Sequence, residues 1–326
     1  MLDNTKFSTS DLQLINRMLL HPDFIVCKPR NNYYHSLCHK KYGIKLSFDF
    51  RKAVENKKVI GFGHLEINIS PHYHFNHYKH NGNDFTPEEC INTIYEILTY
   101  LEIQEHEFEL LKVVNIEFGI NLLPVFNIKD LIGGLLFHHR KSFKTLNFPY
   151  FKKTDTSSYK QIKAYAKGLQ FSEYPQYEIN SNMFRYEVKS KQSKNLYRYG
   201  IDNASDILTP KTYNTLGQEL LNEWDHILIV NPKTSTDHLK PFEAEFISKA
   251  HDVNFWNEIL LQKHRNTFNI NKEKYYQLLT GNDNLHMEIK KQIIDKLVSF
   301  QKCANSTQGI PINREKYILK KYPEIR

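Results

Sequence analysis

Tyr165 stands between Lys163 and Lys167 in Gln-Ile-Lys-Ala-Tyr-Ala-Lys-Gly at 161–168, and Arg185, Glu187 and Lys189 alternate through Met-Phe-Arg-Tyr-Glu-Val-Lys at 183–189. A phenol among cations can attack a phosphoryl group and hold it covalently, provided its neighbours ease the loss of a proton with a pKa of about 10. Carboxylates combined with an amide oxygen are hard ligands for Mg²⁺ or Mn²⁺, and an ion so held polarises a phosphoryl oxygen. Glu66, Glu117, Asn121 and Glu187 are candidates for that set. Each residue also has an ordinary reading: a strand tyrosine packs, and Glu187 between Arg185 and Lys189 makes cross-strand ion pairs.

These residues share a site only if strands present them on one face. Both runs alternate apolar and polar residues, the period of a half-buried strand. Ile162, Ala164 and Ala166 oppose Lys163, Tyr165 and Lys167, and Phe184, Tyr186 and Val188 oppose Arg185, Glu187 and Lys189. Residues 63–70 (GHLEINIS) form a third such strand. Residues 112–122 form a fourth, with Val114, Ile116, Phe118, Ile120 and Leu122 towards the core and Asn115, Glu117, Gly119 and Asn121 away from it. Residues 1–56 are harder to read, with a short helix at 12–20 and a strand at 45–50, and no chemistry is placed there.

Thr86 as N-cap, Pro87 at the first helical position and Glu89 three residues after the cap form a capping box, which predicts a helix to about Leu101. A second helix near 128–141 ends in His138-His139-Arg140-Lys141, where cations complement the helix dipole. Residues 210–223 read as helix and 226–230 as a buried strand. Beyond 231 the pattern is helical, at 254–264, 272–279 and 285–300. Sheet strands with one apolar face, separated by helices, give an α+β fold: an antiparallel sheet with helices on one face, then a helical C-terminal region, divided as 1–232 and 233–326. The polar face is then open to a ligand.

The net charge of +8 is concentrated in 138–198, which holds 13 Lys and Arg, including Arg140 and Lys141, against four acids, together with 12 of the 43 aromatic residues. Cations interleaved with stacking rings suit single-stranded nucleic acid; a solvated lysine-rich face is the plainer alternative. Residues 71–84 (PHYHFNHYKHNGND) read as a polar loop. Within it His72 and His74 have the i, i+2 spacing that would pair two imidazoles on a strand, although Pro71 and the Asn-Gly that follows favour a loop that touches DNA. Cys27, His35, Cys38 and His39 lack the paired spacing of a zinc knuckle, and the four cysteines are expected to be reduced. No run approaches the roughly 18 apolar residues of a membrane span, so no membrane partner and a cytoplasmic location are expected.

At these same residues the chain resembles the gene II/X-type replication initiation proteins of filamentous phages and their relatives in bacteroidete phages and plasmids. Ile69-Ser70-Pro71 through Phe75, with His80-Asn81, is similar to the family's Gly-Ser-Pro-x-Lys-Phe followed by His-Asn. Asn115-Ile116-Glu117 is similar to its Arg-x-Asp/Glu strand. Tyr165-Ala166-Lys167-Gly168 with Phe184-Arg185-Tyr186-Glu187 is similar to its Tyr-x-Lys-Gly followed by Leu-Arg-x-Glu. The resemblance covers roughly 60–230. It implies a rolling-circle nickase of the Rep/HUH kind that acts on single-stranded or supercoiled origin DNA. Such an enzyme needs Mg²⁺ or Mn²⁺, leaves a 5′-phosphotyrosine and a free 3′-OH, and works with the host helicase and polymerase. On that reading Tyr165 and Lys167 are catalytic, and Glu117, Glu187 and Asn121 hold the metal. Lys163, Arg185, Lys189, His72, His74, Arg140 and Lys141 contact DNA. The alternative is a non-catalytic, sequence-specific DNA-binding protein, a regulator or a decayed initiator, using the same basic aromatic face.

Overall fold

Strict alternation in the chain produces long strands that pair into one sheet. The computed structural model describes residues 1–146, 150–262, 264, 266–279 and 283–306. In chain order the strands are β1 (Leu2–Thr9), β2 (Phe24–Val26), β3 (Tyr34–His39), β4 (Gly43–Glu55), β5 (Lys58–Ile69), β6 (Lys112–Leu122), β7 (Leu135–His138), β8 (Lys141–Ser142), β9 (Lys144–Thr145), β10 (Phe151–Asp155), β11 (Lys160–Ala166), β12 (Phe184–Ser190) and β13 (Ile227–Ile229). The helices are α1 (Leu12–Leu19), α2 (Pro71–Phe75), α3 (Pro87–Tyr100), α4 (Ile128–Gly134), α5 (Ser193–Leu196), α6 (Pro210–Asp225), α7 (Pro241–Ala250), α8 (Val253–Gln262), α9 (Thr267–Leu278) and α10 (Leu285–Ser306). The fold is α+β. A ten-stranded antiparallel sheet runs β2-β3-β4-β5-β1-β6-β12-β11-β10-β9, and a small sheet runs β13-β7-β8. Among the described residues no helix is long and apolar enough to cross a membrane.

Leu65, Ile67, Ile116, Phe118, Ile120, Ile162, Phe184, Tyr186 and Val188 put the apolar face of the large sheet into the main core, where they join buried residues of α1, α3, α6 and α10. The capping box at Thr86 and Glu89 is present and starts α3. The expected core position Val114 is only half-buried, and Val113 is buried in its place. A register shift where β6 pairs with Lys6 and Phe7 moves the inward position by one residue.

The helix expected through 128–141 stops at Gly134, and Leu135–His138 continues as β7. A Cβ at Gly134 would lie 2.0 Å from the carbonyl oxygen of Val230, so a residue without a side chain is needed where the neighbouring chain comes closest. His138 and Lys141 therefore belong to strands, with His139 and Arg140 in the turn, and they do not cap a helix. Phe137, Leu228 and Val230 form a second core with Ile247, Trp256, Phe268 and Tyr275 of α7, α8 and α9. α10 instead packs on the main core through Leu285, Ile289, Ile293 and Phe300. Residues 307–326, the end of the expected helical region, lie outside the described residues.

His286 ties α10 to α6. Its Nε2 lies 3.0 Å from the Trp224 carbonyl oxygen, and the Trp224 indole N–H donates to the His286 carbonyl at 3.0 Å. Burial pulls the imidazole pKa from 6.5 down to about 4. The unfolded chain therefore takes up the proton first as pH falls, and stability is lost between those two values. The loss from this residue is on the order of 3 kcal/mol. Urea titrations at about pH 7 and about pH 4 are expected to show a smaller acid-induced loss in His286→Gln than in the wild type; equal losses would assign the acid sensitivity elsewhere.

Candidate active site

Antiparallel register aligns the polar residues of four strands into three rungs. Phe151, Tyr165, Arg185 and Asn121 are successive partners in the first, Lys153, Lys163, Glu187 and Gly119 in the second, and Asp155, Gln161, Lys189 and Glu117 in the third. A Cβ on Gly119 would come within 2.7 Å of the Glu187 Cγ, so its missing side chain leaves room for that carboxylate.

β1 adds a residue that sequence reasoning missed. The pairing of β1 with β6 shifts between Leu2 and Asn4, so Asp3 is the extra residue of a bulge beside Glu117. A bulge re-aims a side chain. Here it brings a third carboxylate to Glu117 and Glu187, with one oxygen from each lying within 4.8 Å of the others. The Arg185 Nη2 lies 2.8 Å from Asp3 Oδ1. The same guanidinium donates to Glu187 Oε1 at 2.9 Å and to Asn121 Oδ1 at 3.0 Å. The Tyr165 hydroxyl donates to Glu187 Oε1 at 2.7 Å. Lys163 bonds Glu117 and lies 3.5 Å from Glu187 Oε2, and Lys189 bonds the other Glu117 oxygen at 3.0 Å. Glu187 Oε2 is buried without a hydrogen-bond partner among the described residues.

These charges reset one another. Burial, then repulsion from Glu117, pushes the Glu187 carboxyl up to about 7. Burial acts the same way on Glu117, but Lys163 and Lys189 outweigh it and hold this carboxyl at about 2. Burial likewise opposes ionisation of Asp3, yet Arg185 and His72 hold it well below the usual range. Burial lowers the Lys167 ammonium to about 8, and burial and Glu187 raise the Tyr165 phenol well above 10. In Lys163 burial is outweighed by Glu187 and Glu117, which raise it.

The polar face is not open, as alternation alone had suggested. Tyr165 is 4% exposed, Lys167 and Arg185 2% and Glu187 1%. Asn121 donates to the carbonyls of Gly82 and Asn83, which drape residues 82 and 83 across one end of the site. Phe151 stacks on Tyr165 at 4.6 Å, and the Lys167 ammonium sits over the rings of Tyr165 and Phe171. Asn121 accepts from Arg185 through Oδ1 and donates to the two carbonyls through its amide nitrogen, so it positions the guanidinium, and Asp3 joins the two glutamates.

The expected histidine loop starts as helix α2, with Pro71 at its first turn. Helical spacing turns residues two apart to different sides, so His72 and His74 do not pair as on a strand. His72 is fully buried between Asp3 (3.1 Å) and Asn83 (2.9 Å), whereas His74 bonds the Tyr78 hydroxyl at 3.0 Å. Glu66 is held apart from the site by Lys6 and Arg30. Arg140 and Lys141 are exposed on the small sheet, and Arg140 donates to the Leu260 carbonyl at 3.2 Å. His39 is engaged by the Tyr100 hydroxyl and by backbone amides, and Cys27 and Cys38 are free thiols.

Fold and site together define an α+β protein whose antiparallel sheet buries a tyrosine, an arginine, a lysine and three carboxylates side by side, with Lys163 and Lys189 half-buried against them. Comparison with protein-family models and with curated proteins finds no match.

Proposed function

We propose that this protein initiates rolling-circle DNA replication as a strand-specific nickase that cuts and rejoins one origin strand through a 5′-phosphotyrosine at Tyr165. The observation that carries the reading is the 2.7 Å hydrogen bond from the Tyr165 hydroxyl to Glu187, which is itself one carboxylate of the acidic triad. Glu187 Oε1 is thereby placed to accept the phenol proton as a general base. As the phenol oxygen bonds to phosphorus, its proton passes to Glu187 Oε1. The phosphorus–O3′ bond breaks, and the departing oxygen takes a proton from bulk solvent to become the 3′-OH. Lys167, above the tyrosine ring, supplies a cation to the phosphate, and Arg185 keeps Glu187 aligned. The phosphodiester energy is conserved in the tyrosyl ester, so the reverse step rejoins the strand.

Three carboxylates, one of them with an oxygen (Glu187 Oε2) that accepts no hydrogen bond among the described residues, fit a hard divalent ion, with the Lys163 ammonium displaced from between Glu117 and Glu187. When bound by Asp3, Glu117 and Glu187, Mg²⁺ or Mn²⁺ supplies polarisation of a phosphoryl oxygen. The basic segment 138–198 adds an electrostatic footprint for DNA.

Labelled single-stranded origin DNA with Mn²⁺ is expected to give an SDS-resistant adduct, and none with EDTA. Glu117→Ala should abolish both the adduct and calorimetric Mn²⁺ uptake while DNA binding persists, because it removes a ligand and no cation. Replacing His72 and His74 together should leave Mn²⁺ uptake in place. Loss of uptake in the histidine variant but not in Glu117→Ala would move the metal to the histidines. The burial of Tyr165 favours a second reading, a non-catalytic DNA-binding protein. That reading requires salt-sensitive binding unchanged by EDTA, and a metal-stimulated cut eliminates it.

A further inference from the structure

A second group of ligand-type side chains lies on the small sheet. β7 ends at His138, whose register partner is Ile227 of β13. His139 follows in the turn, with φ +50° and its amide donating to the His226 carbonyl at 2.8 Å. Glu223 reaches the same point from the last turn of α6. One ligand atom from each of His138, His139 and Glu223 lies within 4.8 Å of the others. His138 is 1% exposed, its Nε2 is 2.7 Å from Glu223 Oε2, and its Nδ1 has no hydrogen-bond partner among the described residues. The other Glu223 oxygen is engaged by Lys160, which also binds Glu219. The exposed rings of His139 and His226 stack at 3.7 Å and leave the cluster open to solvent.

We propose that His138, His139 and Glu223 form a binding site for a first-row transition ion of the Zn²⁺ class, with water completing the coordination. Two imidazoles and one carboxylate are a borderline-soft donor set, unlike the all-oxygen triad beside Tyr165, so the two sites select different ions. A buried imidazole nitrogen and a carboxylate oxygen held 2.7 Å apart from two different elements are already converged, and an ion between them needs only a small opening of that pair. The ion ties the turn after β7 to α6. Through Glu223 and Lys160 it also reaches β11, the strand of Tyr165. The site therefore braces the small sheet and its helices against the large sheet. This proposal stands apart from the nickase reading and survives if Tyr165 has no catalytic role.

The test is calorimetric titration of the full chain with Zn²⁺, paralleled by the visible spectrum of bound Co²⁺. The variants are His139→Asn, which tolerates the positive φ, and Glu223→Gln, which still accepts from Lys160. Circular dichroism confirms that each is folded. The wild type is expected to bind one equivalent, with affinity falling at least tenfold in both variants and unchanged in Glu117→Ala. Wild-type affinity in His139→Asn, no uptake by the wild type, or loss in Glu117→Ala would each overturn the assignment.

Discussion

Tyr165→Phe is expected to reduce the SDS-resistant DNA adduct from its wild-type yield to none while the chain stays folded and still binds DNA. The phenol oxygen is the only atom removed, and it is the atom that would join phosphorus. Its structural contribution is one hydrogen bond to Glu187, worth about 1.5–3 kcal/mol when the acceptor is ionised. The ring stays packed against Phe151 and beneath Lys167. Stability, read from urea denaturation, should therefore fall modestly, while covalent chemistry is lost outright. An adduct formed by the variant at wild-type yield would remove Tyr165 as nucleophile. Glu187→Gln keeps an amide oxygen that accepts from Tyr165 but removes the proton acceptor and one carboxylate of the acidic triad together. Adduct formation should slow by at least roughly 10²–10⁴-fold, the usual contribution of a positioned base alone.

The second large effect concerns folding. Arg185 is 2% exposed and neutralises Asp3 at 2.8 Å and Glu187 at 2.9 Å while bonding Asn121. Arg185→Leu keeps much of the volume and leaves two buried carboxylates without their main partner. Breaking a buried pair in this way costs about 3–5 kcal/mol, a large share of the roughly 5–15 kcal/mol that holds a domain together. Arg185→Lys should recover only part of it, because an ammonium cannot present the planar fork that meets three partners. Lys189→Ala provides the contrast: its partner Glu117 keeps Lys163, and the lysine is partly exposed, so a change within about 1 kcal/mol is expected. The comparison is one of urea midpoints across the three variants, and an Arg185→Leu midpoint equal to that of the wild type would show that the network carries little of the fold.

Much of this arrangement was legible in the sequence because β5, β6, β11 and β12 alternate with few interruptions, and alternation fixes which side chains share a face. The capping box of α3 was legible for a similar reason, since its signal is local. What was lost had non-local or irregular causes. β1 escaped because its bulge puts Asp3 and Asn4 opposite the single residue Glu117, breaking the period at the point where the third carboxylate enters. The alternating run Thr5-Lys6-Phe7-Ser8-Thr9 was the remaining signal for that strand. β7 was hidden because Leu135-Leu136-Phe137 extends an apolar stretch that reads equally as helix, and only the close approach of Val230 to Gly134 decides the matter. Nor does alternation reveal what covers a polar face. The closure by residues 82 and 83 and by Phe171 depends on tertiary contacts of segments with no period of their own.

The place of β1 in the middle of the sheet, between β5 and β6, also governs the order in which a ribosome can complete this structure. One flank can be paired once β5 has emerged, through Ile69. The other must wait for Lys112–Leu122, and Arg185, the counter-charge for Asp3, emerges later still. During that interval a nascent chain carries an unpaired strand edge and, in Asp3, an uncompensated acid that the finished fold buries. Such species are prone to aggregate. Slowing the ribosome between β6 and β12 is therefore expected to lower the soluble yield more than slowing it after α6.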